Sequence, residues 1–317
     1  MGRYLARRLL IALPTLLVLS LLIFTLISFA PGDPAEDLAR RRSGTGEVLG
    51  DEVERIRAEL GLDRPFVVQY SSWLAGAVIG DLGQSFSRGT SVAREIGDRI
   101  QATAELAGAA FLLVLMTAVP LGMAAAMLHR HWADHGLRLL ALVFASVPGF
   151  FLAYLLIIVF GTKLRLLPVA GRAGLDTLVL PAVALAALPT AIVSRLLRSS
   201  LLEVLGEDYV RTARSKGLRS LQVVVRHGLR NAAIPVVTYL GAQLAVLLEG
   251  AVIIEVIFAW PGLGRLAVEA ISHRDYPMIQ GLVLFVGAVY IVMNLLVDLS
   301  YHLIDPRIRL EARVEHA

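Results

Sequence analysis

The sequence predicts an all-α polytopic membrane protein with six transmembrane helices. Three observations carry that expectation. Of its 317 residues, 56% are hydrophobic and only 18% charged, against roughly a quarter charged in ordinary soluble domains. The apolar residues gather into six stretches, each near the ~20 residues that a helix needs to cross a bilayer. Arginine and lysine crowd the segments on one side of those stretches.

The first stretch, Leu9–Ala30, follows Arg3, Arg7 and Arg8 and ends in Ser28-Phe29-Ala30, in the manner of a secretory signal. It is longer than a signal's apolar region and spans about 33 Å as a helix. Pro31 stands just after the cleavage position. The expectation is an uncleaved anchor, residues 1–30 forming a cytoplasmic tail and the first span. Residues 31–102 form an extracytoplasmic segment. Within it, Asp51–Gly61 sets Val53, Ile56 and Leu60 on one helical stripe and ends in a glycine cap. Phe66, Val67, Tyr70, Trp73 and Leu74 make a second stripe. Two readings stay open for this second stripe: a helix on the outer membrane surface, or a helix packed on its own loop.

The remaining spans are expected at Thr103–Leu128, Leu137–Phe160, Thr177–Leu197, Ala232–Ile257 and Ile279–Ile304. Together they form a five-helix core over 103–305, followed by a cytoplasmic tail, 306–317. Prolines 14, 120, 148, 181, 189 and 235 fall in or near spans and predict kinked, bundled helices. With the N-terminus inside, the inner segments carry sixteen Arg or Lys against five in the short outer loops. Both termini are therefore expected in the cytoplasm of a multi-pass plasma or inner membrane protein.

Several kinds of chemistry are not encoded. The two lysines stand in Thr162-Lys163-Leu164 and Ser215-Lys216-Gly217, and neither makes the Gly-Lys-Ser/Thr of a phosphate-binding loop. There are no cysteines, hence no disulfide, thiolate metal site or cysteine nucleophile. His129, His131 and His135 do not stack on one helical face, so they read as a solvated inner loop and not a metal site. No catalytic constellation is legible. The basic charge sits in loops and reports topology, not nucleic-acid binding. The ionisable groups within spans are Glu105, Glu249, Glu255 and Asp298. Gln243, Glu249 and Asp298 are the candidates for lining a translocation pathway. For Glu249 a structural hydrogen bond to a neighbouring helix, Asn294 or Asp298 stands as the other reading.

The segment Arg195–Arg230 is different in kind, with eight Arg or Lys against Glu203, Glu207 and Asp208. It reads as two short helices broken at Gly217, the first capped by Asp208 and carrying Val210 and Ala213, the second capped by Ser220. Ala213 and Gly217 offer a small-residue face for another backbone. Inner-leaflet attachment would explain the arginines but not the glycine break.

Here the residues resemble a known family. Tyr209-Val210-Arg211-Thr212-Ala213-Arg214-Ser215-Lys216-Gly217-Leu218 resembles the EAA loop of ABC-importer permeases. Arg226-His227-Gly228-Leu229-Arg230-Asn231-Ala232-Ala233-Ile234-Pro235 resembles its dipeptide, oligopeptide and nickel branch. Arg211 and Thr212 depart from the general pattern in the manner of that branch. The likeness extends through Pro31-Gly32-Asp33-Pro34, Gly80-Asp81-Leu82-Gly83-Gln84-Ser85, Phe258-Ala259-Trp260-Pro261-Gly262-Leu263-Gly264, Arg274-Asp275-Tyr276-Pro277 and Asp305-Pro306-Arg307. The long segment after the first span resembles the B-type permease.

The resemblance implies a type I ABC-importer permease fold whose loop 199–232 carries a coupling helix. Tyr209, Val210, Arg211, Thr212, Ala213, Lys216, Gly217 and Leu218 would meet a cytoplasmic ATPase. Trp260, Pro261 and Asp81 would meet an extracytoplasmic solute-binding protein. A second permease in a heterodimer and two ATP-binding subunits, which would bind the ATP and magnesium, would complete the assembly. This chain itself would hold no cofactor and no metal, and would import di- or oligopeptides or related solutes. A secondary transporter driven by an ion gradient through Glu249 or Asp298 is the competing class.

Overall fold

The computed structural model describes residues 2–29, 32–43 and 50–304, with side chains at 2–7, 9, 41–42, 242, 244–246, 248–250 and 298–304 outside that description. Among the described residues the chain is helical, and the one β pairing is an isolated bridge between Gln84 and Ser91. The helices are α1 (Gly2–Ser28), α2 (Pro34–Ser43), α3 (Gly50–Glu59), α4 (Phe66–Val78), α5 (Val92–Met127), α6 (Trp132–Ser146) and α7 (Gly149–Leu156). They continue as α8 (Leu175–Val204), α9 (Asp208–Ser215), α10 (Ser220–Val223), α11 (Leu229–Ile257), α12 (Leu263–Ser272) and α13 (Tyr276–Ile304). Two π-helical stretches, Ile157–Lys163 and Val224–Gly228, extend α7 and α10.

Four helices (α1, α5, α8 and α13) are long and apolar enough to cross a bilayer. The third span expected from sequence is corrected in form. It is a pair, Trp132–Ser146 and Gly149–Lys163, bent by 101°. The cause is local. Val147, the residue before Pro148, is pushed to extended backbone at φ −85°, ψ 121°, and the proline has no N–H with which to carry the helix on. Prolines 14, 120, 181, 189 and 235 lie inside continuous helices. The 29-residue α11 covers the expected fifth span; its membrane crossing, and so the count of six, rests on the sequence.

The chain clusters into two compact units. The first holds α1 to α4, the start of α5 and residues 265–292. In it the α3 stripe packs on its own loop: buried Ile56, flanked by Val53 and Leu60, meets Ala35, Leu38 and Ala39 of α2. The helix ends as expected at Gly61, whose φ of +66° is left-handed. Gly61 N–H donates to Ala58 O at 3.1 Å and Leu62 N–H to Arg57 O at 3.0 Å, so two terminal carbonyls are satisfied. The second stripe turns its aromatic side onto the first span. Phe24 of α1 sits 5.4 Å from the rings of Phe66 and Tyr70 and 5.7 Å from Trp73. Tyr70 and Ser20 share a hydroxyl hydrogen bond of 2.8 Å. Val67, Val68, Val78 and Ile79 are left exposed on α4 and its end.

The second unit is built around α8, which packs against α6, α7 and α11. Its apolar core includes Leu106, Val114, Val193, Leu197, Leu201 and Leu247. The approach of α5 to α8 is close at Gly122, where a Cβ would stand 2.8 Å from Ser194 O and 3.0 Å from Leu197 Cβ. Only glycine lets two helices meet at that depth.

Candidate functional site

The basic segment is a folded element. α8 runs into a turn in which Leu205 N–H donates to Leu201 O at 2.8 Å and Gly206 N–H to Glu203 O at 3.0 Å. α9 follows and ends at Gly217, whose φ is +80° and whose N–H donates to Arg214 O at 2.9 Å. That left-handed residue reverses the chain into α10, as the glycine break implied. The caps fall one residue earlier than expected. Glu207 and Arg219 precede α9 and α10, and neither side chain caps a helix amide. Asp208 instead occupies the first helical position, where its charge complements the amide end of the helix. Arg219 N–H donates to Gln222 Oε1 at 3.2 Å, which satisfies the amide ahead of α10.

Val210 and Ala213 of α9 and Val223 of α10 are buried together, with Leu205 partly buried against them. This mini-core holds the hairpin shut. The expected small-residue face is therefore corrected: Ala213 is 6% exposed and packs inside the chain, so it is closed to a partner. Tyr209, Arg211, Thr212, Lys216, Gly217 and Leu218 are exposed. Asn231 Nδ2 donates to Tyr209 Oη at 2.8 Å and ties α9 to the start of α11. Residues 214–222 are exposed without interruption. They present Arg214, Lys216 and Arg219 beside Leu218 and Leu221, a basic and apolar tip.

At the other end of α11 stands a buried acid. Glu255 is 0% exposed, and Thr103 Oγ1 donates to its Oε1 at 2.6 Å. The same Thr103 oxygen accepts from Leu263 N–H at 2.8 Å. α11 terminates with Ala259 N–H on Val256 O at 3.3 Å and Trp260 N–H on Glu255 O at 2.8 Å. This places left-handed Ala259, φ 48°, where glycine is usual. The turn swings Trp260 inward, where it is 0% exposed and its Nε1–H donates to Ala102 O at 2.8 Å. That burial corrects the expectation that Trp260 meets a partner at the surface. Pro261 is half-buried. A Cβ on Gly262 would overlap the Glu255 carboxylate.

The first unit holds a second buried acid, Asp275, in the loop before α13. Ser85 and Ser87 hydroxyls donate to its Oδ2 at 2.5 and 2.6 Å, Ser87 N–H to Oδ2 at 3.1 Å and Phe86 N–H to Oδ1 at 3.0 Å. Burial pushes this carboxyl up, and the hydrogen bonds from Ser85, Ser87 and Phe86 outweigh it, holding Asp275 below the usual carboxylate range. Two sequence motifs nearly 190 residues apart are joined by one side chain. Asp81 is exposed, accepts from Gly83 N–H at 3.0 Å, and lines a cleft of about 1150 Å³ with Arg57, Trp73 and Tyr276.

Of the pathway candidates, Gln243 is half-buried on α11, while the side chains of Glu249 and Asp298 lie outside the described residues. The arrangements that sequence reasoning missed are Thr103 with Glu255, Ser85 and Ser87 with Asp275, and Asp134 with Arg198. Glu255 stood out only as a charge within a span. No local pattern announces the partner in any of the three.

Comparison with known proteins decides the family. Residues 118–310 match the model of the binding-protein-dependent transport system inner membrane component, and residues 1–107 match that family's N-terminal model. The chain belongs to this permease family. Among relatives, a putative peptide permease of Brucella ovis is 41% identical over 320 residues, covering 98% of this chain and 99% of the relative. The dipeptide transport system permease DppB of Escherichia coli K12 is 39% identical over 340 residues, with the same coverages. Among solved structures, a chain of the inward-facing MetNI methionine ABC transporter aligns with TM-score 0.57 at 16% identity. It covers 67% of this permease and 96% of that chain. A chain of an amino acid ABC transporter aligns at TM-score 0.50 and 19% identity, covering 68% and 94%. At these identities the likeness speaks to fold, and the fold is that of an ABC-importer permease. The permease is thus a membrane-embedded transport subunit.

Proposed function

We propose that this permease forms half of the translocation pathway of a peptide importer and receives its energy through the tip at 214–222. The observation that carries the reading is the folded hairpin of α9 and α10. A buried mini-core holds it on the end of α8, the Asn231–Tyr209 hydrogen bond ties it to α11, and its basic and apolar tip is exposed, in a chain with no phosphate-binding loop. Such an element needs an outside source of force. One of two ATP-binding subunits, which carry ATP and magnesium, seats on it from the cytoplasm. A second permease completes the pathway, and a solute-binding protein delivers substrate from outside. Gln243, Glu249 and Asp298 are our candidates for the pathway wall. Asp81 and Pro261 are the candidates for the delivery side. The substrate class follows from the relatives, whose names specify peptides and dipeptides. The arginine bias supports a reading with both termini in the cytoplasm, in a protein of the inner membrane.

Gly217→Leu tests this reading. A Cβ at Gly217 would meet no atom within 4 Å. The change therefore acts through the backbone: a left-handed conformation costs a non-glycine residue about 1–2 kcal/mol. The tip should refold, with loss of co-purifying ATP-binding subunits and a fall in uptake of about tenfold. Gly217→Asn, which tolerates φ > 0, should be milder. Survival of both uptake and co-purification in Gly217→Leu would remove the coupling assignment.

A further inference from the structure

The cytoplasmic end of the second unit carries a buried ion pair that the proposed function leaves unused. Asp134, at the start of α6, is 1% exposed. Arg198 of α8 grips it with both arms of its guanidinium, Nε to Oδ1 at 2.8 Å and Nη2 to Oδ2 at 2.6 Å. His129, in the turn between α5 and α6, places Nδ1 3.2 Å from the same Nη2 and 3.7 Å from Asp134 Oδ2. Asp134 N–H donates to His131 O at 3.0 Å, which fixes the turn around the pair.

Buried ion pairs are poor sources of stability, because desolvation offsets most of the attraction. What a two-armed guanidinium–carboxylate contact does provide is a fixed angle and register between the elements that carry it. Here those elements are α8 and α6. Arg198 lies six residues before the end of α8, about 9 Å along the helix. Leu205, just past that end, packs into the mini-core of the α9–α10 hairpin. α8 is thus a rod with the hairpin at its tip and the clasp one and a half turns above it. On the far side, α6 leads to the 101° bend at Pro148. Leu137, one turn past Asp134, and Ser194, one turn before Arg198, line an apolar groove of about 250 Å³ between α5, α6 and α8. The ion pair joins α6 to α8 at the end of this groove.

We propose that the Asp134–Arg198 clasp, backed by His129, is the positioning link that carries displacement of the coupling hairpin into α6 and its bend. The proposal rests on the coupling reading above. In the assembled transporter, reconstituted in proteoliposomes with its binding protein and radiolabelled glycyl-leucine, the quantity to measure is dipeptide taken up per ATP hydrolysed. Asp134→Asn and Arg198→Lys should each lower that ratio about tenfold while the ATP-binding subunits stay bound, because force is generated but not transmitted. A purely structural role would lower assembly, and with it uptake and hydrolysis in proportion, leaving the ratio unmoved. The exchange Asp134→Arg with Arg198→Asp should recover most of the loss. If Asp134→Asn fails to assemble, Arg198→Lys, which keeps the charge and loses the fork, decides by the same criterion. A ratio within twofold of the unmodified protein, with ATP-binding subunits retained, would overturn the clasp alone. Absence of those subunits from the unmodified chain would overturn the coupling reading and the clasp together.

Discussion

Gly264→Ala is expected to destabilise the permease by about 3 kcal/mol, a large effect for one methyl group. The reason lies in what the methyl would strike. A Cβ on Gly264 would stand 2.5 Å from the Cα of Val252 and 2.9 Å from its Cβ. These atoms belong to the body of α11 and cannot swing aside as a side-chain end could. The start of α12 would have to lift from α11. Leu263, whose N–H is held by Thr103, would be pulled with it, along with the turn that buries Trp260. Gly108→Ala is the matched control, since a Cβ there meets nothing within 4 Å. It should be neutral or stabilising by up to about 1 kcal/mol. Thermal unfolding of the purified protein in detergent, followed by helical circular dichroism, compares the two. Equal midpoints for both variants would contradict the close approach of Gly264 to Val252.

The second large effect is expected at Asp275. Asparagine has nearly the same shape but only one acceptor oxygen. The Ser85 and Ser87 hydroxyls can rotate to suit an amide. The backbone N–H groups of Phe86 and Ser87, which bond different oxygens, cannot. One of them is left unpaired in a buried site, at a cost of about 1–3 kcal/mol. Asp275→Ala orphans both and should cost about 3 kcal/mol or more. Protease cleavage around residues 80–90 should rise in the same order.

The wild-type protein carries a matching pH dependence. Asp275 is held below its ordinary value in the folded chain. Its contribution is therefore complete above roughly pH 4, the unfolded carboxyl's range. As pH falls toward the lower folded value, the unfolded chain takes up a proton that the folded chain refuses, and stability drops. Asp275→Asn should remove this acid-side loss. An unchanged acid limb would contradict the assignment.

What a local pattern carries is legible in the sequence. The spans, the α3 stripe, the Gly61 stop and the Gly217 break are all written in neighbouring residues. At the caps, residue type favours Asp208 and Ser220, yet those residues open the helices, and the cap positions fall on Glu207 and Arg219, whose side chains cap no helix amide. The third span hid its bend because hydropathy runs on through Val147-Pro148, although the proline was the right warning. Trp260 misled for a different reason. An aromatic residue beside Pro and Gly after a span looks exposed, and only the left-handed turn at Ala259 folds it inward. The pairs 103–255, 85–275 and 134–198 are separated by 152, 190 and 64 residues. Tertiary packing alone brings them together, and helical periodicity carries no information about it.

The central claim is that energy enters this subunit through the exposed tip of the α9–α10 hairpin. The chain has no cysteine of its own, so a single introduced thiol reports one position without background from this subunit. Leu221, exposed at the tip, and Val210, buried beneath it, make the comparison. In the assembled transporter a short thiol-to-amine cross-linker should join Leu221→Cys to an ATP-binding subunit and leave Val210→Cys unlinked. An ATP-binding subunit captured by neither Leu221→Cys nor Leu218→Cys, in a complex that still hydrolyses ATP and imports dipeptide, would contradict the account.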